Sequence, residues 1–272
     1  MTLSIAQMAA AVAETAPDMN KAVKGGGGAY TPPAAGMVRL RLVAYVETGK
    51  HKVQITGKPD KIEDEVKLTF ELSGPKHEPK VLDDGTKLPH RITLTLNRSM
   101  NEKANFYKLF KRMNYKGLAT HMSQLVGEAF KGTVVHKVVG EGDDKKTYAN
   151  LKDDAGYTIQ PPRVDDPETG DTRDLVVAPA ISPLRLFVWN TRAEFLKPMW
   201  DSLFIDGTSG EGDNARSLNV FQDRIKAATD YVGSPIYNLL QSGGVEPDLP
   251  GTSEAPPANA GSQPDPLDDI PL

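Results

Sequence analysis

No cysteine occurs in the 272 residues of this chain. That absence excludes disulfides and thiolate metal sites, a zinc ribbon among them, and is the composition expected in a reducing cytoplasm. No apolar run approaches the ~18 residues needed to span a bilayer, so no membrane contact is expected. Residues 2–16 are apolar and rich in alanine, but no Lys or Arg precedes them and Glu14 interrupts them, which makes a poor secretory leader. The five histidines (51, 77, 90, 121 and 136) show no paired helical spacing, so no metal centre is expected. Gly25 to Gly28 lack both a preceding strand and the Lys-Ser/Thr ending of a phosphate loop. Asp60, Glu65 and Lys67 imitate the two carboxylates and lysine of a Mg²⁺-dependent nuclease. Lys67 alternates outward, however, as a surface lysine does, and no acidic helix completes the set. The chain reads as a protein without cofactor and without enzymatic activity.

What is present is a division of charge. The formal net charge of −4 conceals 19 Lys and Arg against 11 Asp and Glu between Met37 and Gly140, and 11 against 23 from Glu141 onward. A basic body joined to an acidic remainder is the footprint of a polyanion ligand with an internal competitor.

The apolar pattern predicts mainly β structure with helical additions, an α+β chain. Val38, Leu40, Leu42, Ala44 and Val46 alternate with Arg39, Arg41, Val43 and Tyr45, a half-buried strand. Val66 to Leu72 and Arg91 to Asn97 repeat the period of two, the latter after an Asp83-Asp84-Gly85 turn. Phe106, Leu109, Phe110 and Met113 then recur at helical spacing, followed by Leu118, Met122, Leu125 and Val126. Thr133 to Val139 and Lys146 to Leu151 predict a β-hairpin. Strand, strand, strand, helix, strand, strand is the order of an OB-fold, a five-stranded Greek-key barrel with its helix between strands three and four. Beyond it, Arg185 to Trp189 predicts a further strand, and Ala193 to Phe204 and Ser217 to Tyr231 predict helices, the first kinked or shortened by Pro198. Three regions result: an N-terminal arm and linker (1–36), the OB-like domain with its helical additions (37–240), and a disordered acidic tail (241–272).

The outward faces of these strands carry what a single nucleic-acid strand requires. Arg39 and Arg41 share a face with Tyr45, Arg91 is followed by Thr93, Thr95 and Asn97, and Tyr148 stands between Lys146 and Asn150. Cations track phosphates, and each base stacked on an aromatic ring contributes ~1–3 kcal/mol. OB-folds bind with the loops joining strands one to two and four to five, which places Lys50 and Lys52 in one loop and Lys145 and Lys146 in the other. Lys108, Lys111 and Arg112, with Tyr107 and Tyr115 nearby, read either as the rim of a groove or as the solvated face of an amphipathic helix. Trp189 and Trp200 are expected in the core or the helical cap.

From Gly243 to Leu272 there are six carboxylates and no Lys or Arg, and the segment closes on Asp268, Asp269, Ile270, Pro271 and Leu272. Rich in Pro, Gly, Ser and Ala, it buries too little to offset its ordering entropy, and it has the form of a tethered peptide ligand. With this tail, the barrel order and the charge split, the chain resembles the single-stranded DNA-binding proteins of tailed phages, whose acidic tails end in Ile-Pro-Phe or a near variant. The resemblance implies binding of single-stranded DNA in the OB groove, and recruitment of replication or repair enzymes by the last five residues. Small barrels of that family often assemble into homo-oligomers through barrel surfaces, which the helical additions here bear upon. The competing expectation is a structural or adaptor protein acting through its tail alone.

Overall fold

The computed structural model describes residues 31–54, 57, 59–140, 145–166, 168–209 and 215–242. The helix expected at 3–15 and the tail residues Asp268, Asp269, Ile270, Pro271 and Leu272 lie outside the described residues.

Two long antiparallel strands form the spine, β1 (Gly36–Val53) and β2 (Lys61–Ser73). A small hairpin of β3 (Lys80–Val81) and β4 (Lys87–Leu88) follows, then β5 (Arg91–Asn97) and helix α1 (Asn105–Met113). After a 3₁₀ turn (Met122–Leu125) come β6 (Ala129–Val139) and β7 (Lys146–Asn150). The remainder comprises two short hairpins, β8 (Lys152–Asp153) with β9 (Gly156–Tyr157) and β10 (Arg163–Asp165) with β11 (Thr172–Asp174), followed by β12 (Arg185–Phe187). Helix α2 (Ala193–Leu203), the pair β13 (Thr208–Ser209) and β14 (Arg216–Ser217), α3 (Val220–Lys226) and α4 (Pro235–Gln241) complete it. The five expected strands form one sheet in the order β5-β2-β1-β6-β7, to which β12 adds a sixth, parallel to β1. Among the described residues no ladder joins β5 to β7, so the sheet is not a closed barrel.

Local sequence explains where the helices stop. Phe106, Leu109, Phe110 and Met113 bury one stripe of α1, while Lys111 and Arg112 in its last turn complement the helix dipole. The expected second helical stretch contracts to the 3₁₀ turn, because His121 and Gln124 form a capping box around it and Leu118 is left 80% exposed. Pro198 lies inside α2 without ending it, so the expected shortening amounts to a single residue. The helix expected over 217–231 is confined to α3. α4 was not apparent in the apolar pattern; Ser234 caps it through Tyr237 N–H, and Pro235 opens it.

Two cores lie on opposite faces of β1. The first joins Val38, Leu40, Leu42 and Tyr45 to β2, β5, β6, α1 and the 3₁₀ turn. The second packs Ala44 and Val46 against Phe187, Trp189, Trp200, Phe221, Ile225 and Ile236. The change of face has a local cause. A β-bulge between Leu42 and Ala44 inserts Val43, and every side chain beyond it moves to the opposite side. Tyr45, expected to point outward, is therefore completely buried in the first core. Trp189 and Trp200 both lie in the second, as expected.

Candidate nucleic-acid interface

The strand faces expected to bind DNA are covered by the chain itself. Arg41 stands opposite Glu71 on β2, and Glu71 stands opposite Arg91 on β5, so the three form a row across the outer face. Residues 177–185 cross this row as a strap. Arg41 donates to the carbonyls of Gly127 (2.5 Å), Val177 (2.9 Å) and Ala178 (2.8 Å), and Glu71 accepts Ile181 N–H (2.8 Å) and Ser182 N–H (2.7 Å). Arg91 is buried beneath it. The expectation that Arg41 and Arg91 bind DNA is corrected accordingly: buried polar backbone needs partners, and these side chains supply or flank them.

The two expected stacking rings are corrected in the same way. Tyr45 donates from its hydroxyl to Glu47 Oε1 at 2.9 Å, and burial pushes its ionisation far above the ordinary tyrosine range. Tyr148 is 9% exposed on β7. Arg39, half-buried, sits opposite both Ser73 and Lys131. Two cations directly opposed repel unless a counter-ion lies between them. The lysines expected in loops are exposed, but Lys50 and Lys52 lie within β1, which runs on to Val53 and pairs there with β2, and Lys146 opens β7, which leaves Lys145 alone in the connection before it. The ladders separate the two pairs, because β6 pairs with β7 only beyond the first residue of β1, while Lys50 and Lys52 lie near its last.

What the fold does bring together is a set of cations and rings at the end of α1. Arg112, in the last turn, donates to the carbonyl of Tyr157 on β9. Lys152 stands opposite Tyr157 in the β8–β9 ladder, with its Nζ 5.8 Å from that ring's centroid. Tyr115, just past α1, packs edge-on against Phe130 and has two cations beside it. Lys116 Nζ and Arg163 Cζ each lie 5.7 Å from its centroid, within cation–π range. Lys116 also donates to Glu128 at 2.6 Å, which raises its pKa, and burial raises that of the Tyr157 hydroxyl. Beside Tyr115 opens a cleft of about 260 Å³ lined by Met113, Leu118, Ala119 and Leu125. Lys108 and Lys111 continue the basic edge on the exposed face of α1.

Arg112 and Tyr115 were legible as one arm of a groove-rim reading, but Lys152, Tyr157 and Arg163 were missed. They follow Gly140, where the composition turns acidic and irregular. One signal was available. Asp153 and Gly156 are turn residues, Asp153 accepts Ala155 N–H, and a hairpin closed there must set Lys152 beside Tyr157.

Glu65, one of the nuclease-like carboxylates, belongs to a different structure. Arg224 Nε and Nη2 donate to its two oxygens at 2.8 and 2.6 Å, and Thr48 donates at 2.8 Å. Among the described residues no group of three or more metal-capable side chains is found, and no helix is long and apolar enough to cross a membrane. Comparison of the chain with protein-family models, with curated proteins and with solved structures found no match.

Proposed function

We propose that this chain is a sequence-tolerant single-stranded DNA-binding protein whose contact surface is the basic, aromatic rim formed by α1, Tyr115, β8–β9 and Arg163. The observation that carries the reading is the pair of half-buried tyrosines, each within 6 Å of a cation, with Arg112, three residues before Tyr115, hydrogen-bonded to the backbone of Tyr157. Rings that accept a base on any π face, set among phosphate-binding cations, need no base-edge code. The charge surplus of residues 37–140 supports a polyanion as ligand. We read the strand order β5-β2-β1-β6-β7, with α1 ahead of β6, as an OB-type topology left open between its outer strands. On this reading the exposed Lys50, Lys52, Lys145 and Lys146 extend the track, and Arg39 with Lys131 adds a phosphate position. A role in phage DNA replication, recombination or repair follows, with Asp268, Asp269, Ile270, Pro271 and Leu272 recruiting the partner enzymes.

The test is fluorescence anisotropy with a labelled oligo-dT over a salt series. Replacing Lys108, Lys111 and Lys152 together by Ala is expected to weaken binding. It should also flatten the dependence of log K on log salt by about 0.7 per lost phosphate contact. Tyr157→Ala is expected to cost about 1–3 kcal/mol of binding. A folded triple variant with unchanged affinity and unchanged salt slope removes this rim from the site.

A further inference from the structure

The cleft beside Tyr115 has walls that are fixed by side-chain hydrogen bonds. Asn114, just past α1, donates from Nδ2 to the carbonyl of Ala119 (2.6 Å) and accepts Ala119 N–H at Oδ1 (3.0 Å), which closes the loop between them. Gln124 Oε1 accepts Thr120 N–H (2.7 Å), His121 N–H (2.9 Å) and the Thr120 hydroxyl (3.1 Å), which locks the 3₁₀ turn. Two backbone donors on one oxygen settle which way this amide faces. Its Nε2 is the end left over, with no hydrogen-bond partner among the described residues. Glu128 is in a similar position: Lys116 donates to Oε2, while Oε1 meets no donor among the described residues. Gln124 and Glu128 both line the cleft. The rest of its lining is largely apolar. Met113 and Leu125 are buried, whereas Leu118 is 80% exposed. An opening of about 260 Å³ thus combines apolar walls with one amide donor and one carboxylate acceptor.

We propose that this cleft receives one base of the bound strand, turned out of the stack. Its ring lies against the apolar walls, and its Watson–Crick edge meets Gln124 Nε2 and Glu128 Oε1. The inference rests on the DNA binding proposed above and gives that site a base pocket. The chemistry of the lining selects this occupant. A planar ring fits apolar walls, and polar groups at the edge of such a pocket read the base by hydrogen bonds. The Watson–Crick edge of each of the four bases sets a donor beside an acceptor, so one amide N–H and one carboxylate oxygen satisfy any of them. The pocket therefore requires a base without choosing among bases. That separates DNA from other polyanions and keeps the binding tolerant of sequence. An apolar side chain of a partner protein would fill the same walls but leave the amide and the carboxylate unused. The cations around the opening, Lys116 and Arg163 beside Tyr115 with Lys108 and Lys111 on α1, suit the phosphates on either side of the base.

The test compares oligo-dT with an oligomer of 3-methylthymidine of the same length, titrated by anisotropy against the full chain. The methyl group leaves phosphates and π faces intact and removes the only Watson–Crick donor of thymine. The natural chain is expected to bind oligo-dT about fivefold more tightly, the effect of one hydrogen bond. In Glu128→Ala that ratio should fall to about one, whatever the loss of a negative charge does to the absolute affinity. Leu118→Ser, at an exposed position that the fold does not need, should weaken oligo-dT binding about two- to threefold with the salt slope unchanged. Equal affinity of the natural chain for the two oligomers overturns the proposal, and so does a full ratio in a folded Glu128→Ala. Where Glu128→Ala does not fold, unchanged oligo-dT affinity in Leu118→Ser overturns it. Each of these failures leaves the rim in place as the DNA site, because the rim is tested separately by the salt slope of the triple lysine variant.

Discussion

Glu65 keeps its charge in the interior because Arg224 meets both of its oxygens. Burial by itself pushes this carboxyl upward, but the paired hydrogen bonds and the charge of Arg224 override it and hold the pKa at about 2. A carboxyl whose pKa falls on folding stabilises the folded state above its ordinary titration range, and that contribution is lost as the pH drops toward 2. The lowering corresponds to ~3 kcal/mol at neutral pH. Chemical denaturation of the natural chain is therefore expected to show stability falling between about pH 4.5 and pH 2. Glu65→Gln should be less stable at neutral pH and lose part of that acid dependence. A variant with the natural chain's full acid slope would show that other groups set it. His51 works in the opposite sense: burial and the nearby Arg224 depress its pKa, so it stays neutral in the fold, and protonating it adds to acid destabilisation. Tyr45→Phe, which leaves that Glu47 oxygen to Arg98 (3.0 Å) and the more distant His121 ring (3.7 Å), is expected to cost about 1–3 kcal/mol in the same assay.

Strand β1 serves two cores because it is irregular. Register shifts at Leu42/Ala44 and at Glu47/Gly49 turn its side chains over twice, and each lets the long strand bend over its neighbours. Gly49 marks the second. Its φ of 90° disfavours an L side chain, and a Cβ there would lie 2.5 Å from Trp189 Cζ2, 2.7 Å from Ala228 Cβ and 2.9 Å from Asp230 Oδ1. Gly49→Ala is expected to destabilise the protein by about 3 kcal/mol, combining left-handed strain with overpacking against the second core. Gly57→Ala, also at positive φ but with nothing within 4 Å, isolates the backbone part of that cost. Equal melting temperatures for the two variants would show that the close approach of Trp189 contributes nothing. The boundaries of β5 and α1 are legible in sequence because their apolar periods run unbroken: the alternation over Arg91–Asn97 coincides with β5, and the helical spacing of Phe106 to Met113 falls within one residue of α1. The bulges were not legible. A continuous run such as Leu42-Val43-Ala44-Tyr45-Val46 is apolar on both parities, so nothing in it says where the alternation breaks.

Over the whole molecule, a basic rim and an acidic tail belong to one chain. On the proposed function, residues 243–272 compete with DNA for the rim at high effective concentration. Deleting them is expected to tighten oligo-dT binding at low salt, with the gain shrinking as screening shortens the field. The same deletion should abolish capture of a replication or repair enzyme. A truncated chain that binds no more tightly and still recruits every partner would remove the tail from both roles.

Sequence alone determined the five strands of the main sheet, their order along the chain, helix α1 and the division of charge, because each follows from local periodicity or composition. Only the tertiary structure decided which outward faces remain outward. Arg41 and Arg91 alternate as surface residues do, and along the sheet they are on its outer face, but a strap more than eighty residues later in sequence covers them. The same holds for the site. Tyr115 and Tyr157 lie far apart in the chain, and what brings them to one rim is a hydrogen bond from α1 to a hairpin beyond β7. Such long-range coverings leave no periodic trace, since the covering segment takes its place from the packing of the second core rather than from its own apolar pattern.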